Sequence, residues 1–400
     1  MSTTTVIVGT GIAGAGAALR LRSSGYDGRL LLIGDEPHEP YRRPPLSKDL
    51  LSGKTPQERT RLRPPETWAK QGIELRTGTR VAALDVGARK LELADGEQLS
   101  YDQLLLATGG RPRKLPQAAG VPGVYTLRSM SDLPALQASL GPGSSVLVIG
   151  AGLIGAEVAA TARGLGCAVM MLEAEPHPLS RLLPPRISEV YAGLHREHGV
   201  DLHTGVLVDT IERIDLGVLA TDTTGRKWLA DTVVVAVGMV PNTELAADAG
   251  LEVDNGLGGI VVDEYFRTSA PAVFAAGDVA NQPNLQLGGR HRVEHWTSAQ
   301  EQGTAAAASM LGERTPYDKV PWCWSDQYGV NLQVAGWPAA SDDITLRGEP
   351  GERDFTAIFH RGGRLVGAVG VNRAKEVRTL RRLIAEQPNA TGHDLSILLT

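Results

Sequence analysis

Two glycine-rich turns of one form, Gly9-Thr10-Gly11-Ile12-Ala13-Gly14 and Gly150-Ala151-Gly152-Leu153-Ile154-Gly155, constrain this 400-residue chain more than any other feature. Each follows a short apolar run, Thr5-Val6-Ile7-Val8 and Ser145-Val146-Leu147-Val148-Ile149. Each leads into residues at helical spacing, Ala13 to Ser23 and Ala156 to Leu165, and then into a second apolar run, Leu30-Leu31-Leu32-Ile33 and Ala168-Val169-Met170-Met171-Leu172. Short apolar runs bounded by turns read as buried strands, and the intervening spacing as helix. The pattern is strand, turn, helix, strand, twice over: an internal duplication of a βαβ unit.

In such a turn the first glycine permits the sharp reversal, the second lets backbone approach a bound pyrophosphate, and the third lets helix and strand pack closely. The helix N-terminus adds amide donors and partial positive charge toward phosphate. Asp35 and Glu173 stand at the ends of the second strands, placed to accept from ribose hydroxyls. A carboxylate at Glu173 repels a 2′-phosphate and favours NADH over NADPH, whereas Arg181 is the residue that would meet such a phosphate. Two dinucleotide sites are expected. Composition agrees, since 47 glycines exceed the roughly 28 that ordinary usage near 7% would supply.

Between the duplicated units, Gly78 to Glu92 and Tyr101 to Ala107 alternate as strands, and Leu115 to Tyr125 is a Pro/Gly-rich crossover. A second crossover follows Val233 to Gly238, where Pro241-Asn242 ends a strand. From about Lys319 come two tryptophans, alternating strands from Val330 to Val371 and an amphipathic helix from about Lys375 to Ile384. The expected class is α/β, with two nested doubly wound dinucleotide-binding domains and a C-terminal α+β domain. The first domain takes residues 1–110 and 239–318, the second 111–238, and the third 319–400.

Net charge is −5 with mixed signs, which speaks against nucleic acid or an anionic membrane as a partner. Only Cys167 and Cys323 occur, so there is neither a disulfide framework nor a C-x-x-C motif. The apolar run Val6 to Leu19 has no basic segment before it and is broken by glycines, and no run is long enough to span a bilayer. A cytoplasmic protein is expected, with no metal site.

The paired fingerprints, together with Ala107-Thr108-Gly109 and Phe274-Ala275-Ala276-Gly277-Asp278, resemble the two-dinucleotide flavoproteins of the pyridine-nucleotide oxidoreductase family, whose fold is glutathione-reductase-like. Tyr41-Arg42-Arg43-Pro44-Pro45-Leu46-Ser47-Lys48 narrows the resemblance to ferredoxin reductases serving bacterial oxygenases. The resemblance implies FAD at the first fingerprint and NADH at the second. It places Gly9, Gly11, Ile12, Ala13, Gly14, Asp35, Arg43, Lys48, Val81, Ala107, Thr108, Gly109, Arg111, Arg128, Gly277 and Asp278 along FAD. Glu294, His295 and Trp296 would lie against its pyrimidine end, in a segment from Arg292 running as helix to Gln302. NAD would meet Gly150, Gly152, Leu153, Ile154, Gly155, Glu157, Glu173, Arg181 and Gly238.

Disulfide reductases of this family carry a Cys-x4-Cys pair just after the first βα unit; here that stretch offers Lys48 and no thiol. What remains is hydride transfer from nicotinamide to flavin and single-electron departure to a carrier. The resemblance implies that Lys48 and Glu157 pair beside the flavin and form the catalytic pair, the lysine stabilising anionic reduced flavin and each ion offsetting the other's desolvation. The resemblance implies a 2Fe-2S ferredoxin, acidic in charge, as acceptor, and a monomer or weak homodimer. Arg373, Lys375, Arg378, Arg381 and Arg382 accompany an apolar stripe and would face outward to steer it. Trp322 and Trp324 begin the third domain, where the resemblance implies a cover over the flavin; one of them lying between flavin and iron–sulfur cluster, and simple packing, are the two readings. Rubredoxin or monodehydroascorbate reduction, and an NADH-sensing signalling flavoprotein of the apoptosis-inducing-factor type, are the alternatives.

Overall fold

The computed structural model describes residues 3–389. They divide into two compact units. One comprises the chain up to Arg43, Gln57–Arg111 and Met239–Lys319; the other comprises Pro44–Pro56, Pro112–Gly238 and the chain from Val320 onward.

The first unit is centred on a five-stranded sheet in the order Val273–Ala275, Gln103–Leu106, Thr4–Val8, Arg29–Ile33, Ile73–Arg76. All four pairings are parallel, and the strands other than the edge strand Ile73–Arg76 are buried along most of their length, as parallel sheets covered by helices require. The helix Ile12–Ser23 covers one face through Ala15, Ala17, Ala18 and Leu21, which have no exposed surface. Its small residues have a steric cause. A second helix, Trp296–Met310, lies against it so closely that a Cβ on Gly303 would sit 2.1 Å from the Ala13 carbonyl oxygen. A three-stranded antiparallel sheet, Val81–Asp85, Lys90–Leu93 and Gln98–Ser100, forms the excursion between the third and fourth parallel strands.

The second unit repeats that design. Its parallel sheet runs Val200–Thr204, Ala168–Glu173, Ser145–Ile149, Thr232–Val235, Val124–Tyr125, with a three-stranded antiparallel excursion of Val208–Ile214, Gly217–Asp222 and Lys227–Ala230. The fingerprint helix is Leu153–Gly164, and a further helix, Pro185–Glu197, precedes the edge strand. The same unit holds a five-stranded antiparallel sheet in the order Trp322–Gln327, Val330–Gly336, Arg364–Val371, Asp354–Arg361, Asp343–Glu349. The helix Ala374–Glu386 packs on that sheet, burying Val377, Leu380, Leu383 and Ile384 against Ala335, Ile358 and Ala368.

Two sequence expectations change in detail. The segment from Arg292 is not helical until Trp296: His295 is the helix N-cap at φ −132° and ψ 143°, extended backbone, and the helix then runs to Met310. The outward-facing basic set is also narrower than the pattern suggests. Arg373 is half-buried and paired with Asp354 and Glu376, and Arg381 donates to the Val320 carbonyl oxygen at 2.8 Å. Lys375, Arg378 and Arg382 remain exposed.

Candidate functional site

The two fingerprint turns have the same internal geometry. The Gly9 amide donates to the Ile33 carbonyl oxygen, and the Gly150 amide to that of Leu172, each at 2.7 Å. Gly9 has φ +116°, and a Cβ there would lie 2.1 Å from the Ala107 oxygen; Gly150 has φ +102°, with the Ala236 oxygen at 2.4 Å. A Cβ on Gly14 or Gly155 would lie 1.9 Å from the oxygen of Gly9 or Gly150. The protein's own packing thus demands the first and third glycines.

The middle glycines differ. Gly11 (φ −64°) and Gly152 (φ −75°) occupy ordinary extended backbone, and a Cβ on either would meet nothing within 4 Å. Neither helix has a side-chain cap or an acidic residue in its first turn, so the N-terminal amides face outward unneutralised. Nothing inside the fold needs a glycine at these two positions, whereas a pyrophosphate seated on the helix end does. Both cradles therefore fit dinucleotides.

Around the first cradle, Thr108 donates to the Asn242 carbonyl oxygen at 2.8 Å, and the Asn242 amides return bonds to Gly109 (2.9 Å) and Thr108 (2.9 Å). Arg111 is fixed by Asn242 and by Glu244 at 2.6 Å. The Gly277 amide donates to Gln302 Oε1 at 2.8 Å, holding the turn that carries Asp278. Arg43 pairs with Glu36; burial opposes its charge, but Tyr41, Glu36 and Asp278 outweigh that and raise its pKa. Burial pushes His295 down to about 4, against the pull of Asp278, so it is neutral at pH 7. Arg43, Asp278 and His295 thus lie within one electrostatic neighbourhood. Ser298 Oγ and Gln302 Nε2 are buried without a hydrogen-bond partner among the described residues, donors that a polar cofactor would satisfy. Asp35 is exposed, Val81 opens an excursion strand, and Glu294 pairs with Arg292.

In the second unit, Glu173 accepts from the Ala151 amide at 2.6 Å and the Glu175 amide at 2.9 Å, which orients its carboxylate at the fingerprint turn. Gly238, at φ +99°, faces Arg181: a Cβ there would lie 3.4 Å from Nη1. Ile154 is 44% exposed at the start of the helix. Arg128 also belongs to this unit, and its amide donates to Asp132 at 2.8 Å.

One turn into the fingerprint helix, Glu157 is 4% exposed and ion-paired to Lys48 at 2.6 Å. Ser47 Oγ donates to the same carboxylate oxygen, and Ser325 Oγ donates to the other at 2.6 Å. Lys48 lies just past the short turn Pro44–Ser47, which is anchored to the fingerprint helix by Thr161 donating to the Ser47 carbonyl at 2.7 Å. Three donors thus converge on one buried carboxylate, and their hydrogen bonds offset the cost of burying it. Trp322 and Trp324 stack with centroids 5.3 Å apart on the strand that also carries Ser325. The sequence marks Asn242, Gln302 and Ser47 only as strand-end, helix-end and motif positions and gives neither them nor Ser325 a role in the site; an asparagine opposite a threonine-glycine turn is a weak signal, and a lone serine is none.

Residues 3–303 match the pyridine nucleotide-disulphide oxidoreductase family model, and residues 322–396 match a reductase C-terminal model. The chain belongs to the pyridine nucleotide-disulphide oxidoreductase family, and is an FAD-dependent oxidoreductase using NAD. It is 41% identical to rhodocoxin reductase of Rhodococcus erythropolis, over 98% of this chain and 94% of that one. It is 39% identical to putidaredoxin reductase CamA of Pseudomonas putida, over 97% and 94%. The anthranilate 1,2-dioxygenase system ferredoxin–NAD(+) reductase component of Burkholderia cepacia is 42% identical over 95% and 93%. Among solved structures, the covalent putidaredoxin reductase–putidaredoxin complex matches with a TM-score of 0.94 at 37% identity, covering 99% of this chain and 98% of that one.

Proposed function

We propose that this chain is an NADH:ferredoxin oxidoreductase of a bacterial oxygenase system, passing electrons from NADH through FAD to a 2Fe-2S ferredoxin. The observation that carries the reading is the pair of cradles whose middle glycines serve no need of the fold. Relatives that share nearly the whole chain are ferredoxin reductases of such systems by name, and one similar structure is a reductase in covalent complex with putidaredoxin. No thiol relay competes: Cys167 and Cys323 are both buried and free, and burial pushes the Cys323 thiol up to about 12. Bound FAD supplies hydride acceptance and one-electron release. The chain's own residues bind, orient and tune. Arg43, Asp278, His295 and the Ala107–Gly109 turn hold FAD, and Glu173 with Arg181 and Gly238 holds NAD. Lys48 and Glu157 tune hydride transfer.

The first test is anaerobic stopped-flow reduction by NADH, followed by cytochrome c reduction with candidate ferredoxins. Fast flavin reduction and ferredoxin-dependent turnover are expected. Slow reduction with a long-lived charge-transfer band and no turnover would favour the signalling alternative. Replacing Lys48 by Met should slow flavin reduction about tenfold, the scale of about 1.4 kcal/mol of lost transition-state stabilisation. An unchanged rate rejects the tuning role.

Among the described residues no helix is long and apolar enough to cross a membrane. The reading places the enzyme in the cytoplasm, as a monomer or weak homodimer, with an acidic ferredoxin docking on Lys375, Arg378 and Arg382. Arg373, Trp322 and Trp324 flank that surface in a supporting role. Charge reversal at Arg378 and Arg382 should raise KM for ferredoxin roughly tenfold while NADH oxidation by ferricyanide is unchanged; equal losses in both assays would sink the docking assignment.

A further inference from the structure

Glu157 is the end of a longer polar chain. Ser325 Oγ donates to its Oε1; Gln327 Nε2 lies 3.1 Å from Ser325 Oγ; Gln327 Oε1 lies 2.9 Å from His195 Nε2; His195 Nδ1 lies 3.1 Å from the Tyr328 hydroxyl. Glu157, Ser325, Gln327 and His195 are all buried, the last on the helix Pro185–Glu197.

Hydrogen-bond chemistry gives this chain a single direction. An ionised carboxylate only accepts, so the one proton of Ser325 goes to Glu157. The Ser325 oxygen must then receive an N–H, which sets the Gln327 amide with nitrogen toward Ser325 and oxygen toward His195. That oxygen can only accept, so His195 carries its proton on Nε2, and its Nδ1 accepts from the Tyr328 hydroxyl. The environment agrees with this arrangement. Burial pushes His195 down to about 4, leaving one ring nitrogen free to accept, and burial also raises the Tyr328 phenol, keeping it protonated. Tyr328 is held in left-handed backbone (φ +53°), unusual for a bulky residue, with its ring stacked on His198 at 3.9 Å.

We propose that Gln327 and His195 are positioning residues for hydride transfer: four donors in series, all aimed at one carboxylate, fix the rotamer and charge of Glu157. The proposal rests on the reading of Glu157 as a tuner of that step. Hydrogen bonds that polarise one another in series are stronger than isolated ones, so loss of a distant link is felt at the carboxylate.

The test is a double-mutant cycle with an independent spectroscopic arm. Gln327→Met should slow NADH-driven flavin reduction roughly fivefold, the scale of one hydrogen bond between uncharged groups. In a Glu157→Gln background the same change should alter the rate less than about twofold, because its route of action is gone. Equal factors in both backgrounds, or a normal rate in Gln327→Met beside a slow Glu157→Gln, overturn the proposal and leave the tuning reading intact. A normal rate in Glu157→Gln overturns both. Should Gln327→Met fail to fold, Ser325→Ala replaces it, and Ser325→Thr, which restores the hydroxyl, should recover the rate. Independently of turnover, nitrogen NMR of the ¹⁵N-histidine-labelled holoenzyme should find His195 neutral with its proton on Nε2 at pH 7, and this preference weakened in Gln327→Met. A proton on Nδ1, or a charged ring, overturns the chain's direction.

Discussion

The two dinucleotide units share the order of four parallel strands, fingerprint geometry and even the three-stranded excursion, yet they differ in what backs the fingerprint helix. In the first, the backing is backbone: Gly303 brings the helix Trp296–Met310 onto the Ala13 carbonyl, and a Cβ on Gly277 would lie 2.9 Å from the Ala13 side chain. In the second, it is a carboxylate network, Glu157 with Ser47, Lys48 and Ser325. Duplication supplied one frame, and divergence set a steric clamp on one copy and an ionisable group on the other. A clamp suits a cofactor that stays bound, and a charged network suits a dinucleotide that arrives, reacts and leaves.

The contrast can be broken most severely at the clamp. Gly303→Val should destabilise the first unit by about 3 kcal/mol through overpacking and release FAD, read as flavin content after gel filtration. Full flavin content would show that the helix pair can part without cost. A smaller and more selective effect is expected at the middle glycines. Gly152→Ala should leave flavin content and melting temperature as they are while KM for NADH rises roughly tenfold. Gly11→Ala should leave the apoprotein's urea midpoint unchanged and weaken FAD retention. A drop in apoprotein stability in Gly11→Ala, or in the melting temperature of Gly152→Ala, would mean that the fold, not the ligand, requires that glycine.

The mildest effect is with acid. His291 and His295 in the first unit and His195 in the second are each pushed by burial down to about 4 from an unfolded value near 6.5. Between these values the unfolded chain binds more protons than the native one, so stability is present above about pH 6.5 and is lost as pH falls toward 4. With two such histidines against one, hydrogen exchange at pH 5 should show the larger loss of protection in the first unit. Equal losses would remove the distinction.

Much of this was legible in local spacing. Each fingerprint with its strand-ending acid, and the buried stripe of the last helix, is set by residues close together in the chain, where period and turn chemistry are informative. The rest depends on residues that meet only after folding. Ser325 reaches Glu157, and Asn242 reaches Thr108, across more than a hundred positions, and neither residue type announces a partner. The segment Arg292–His295 reads as helix because it abuts one, yet it takes no helical form before the N-cap His295. The short stretch Pro44–Pro56 groups with the second unit although it follows the first fingerprint, because Thr161 and Gln137 hold its backbone.

The serine at position 325 has a consequence for anyone grafting parts between reductases. The antiparallel sheet at the end of the chain looks like an exchangeable cassette, matched by a family model of its own. Its first strand nevertheless contributes a hydroxyl to the carboxylate beside the second fingerprint. A chimera that imports a new terminal sheet to accept a different electron carrier must import that hydroxyl too, or it will alter the donor half of the enzyme while redesigning only the acceptor half.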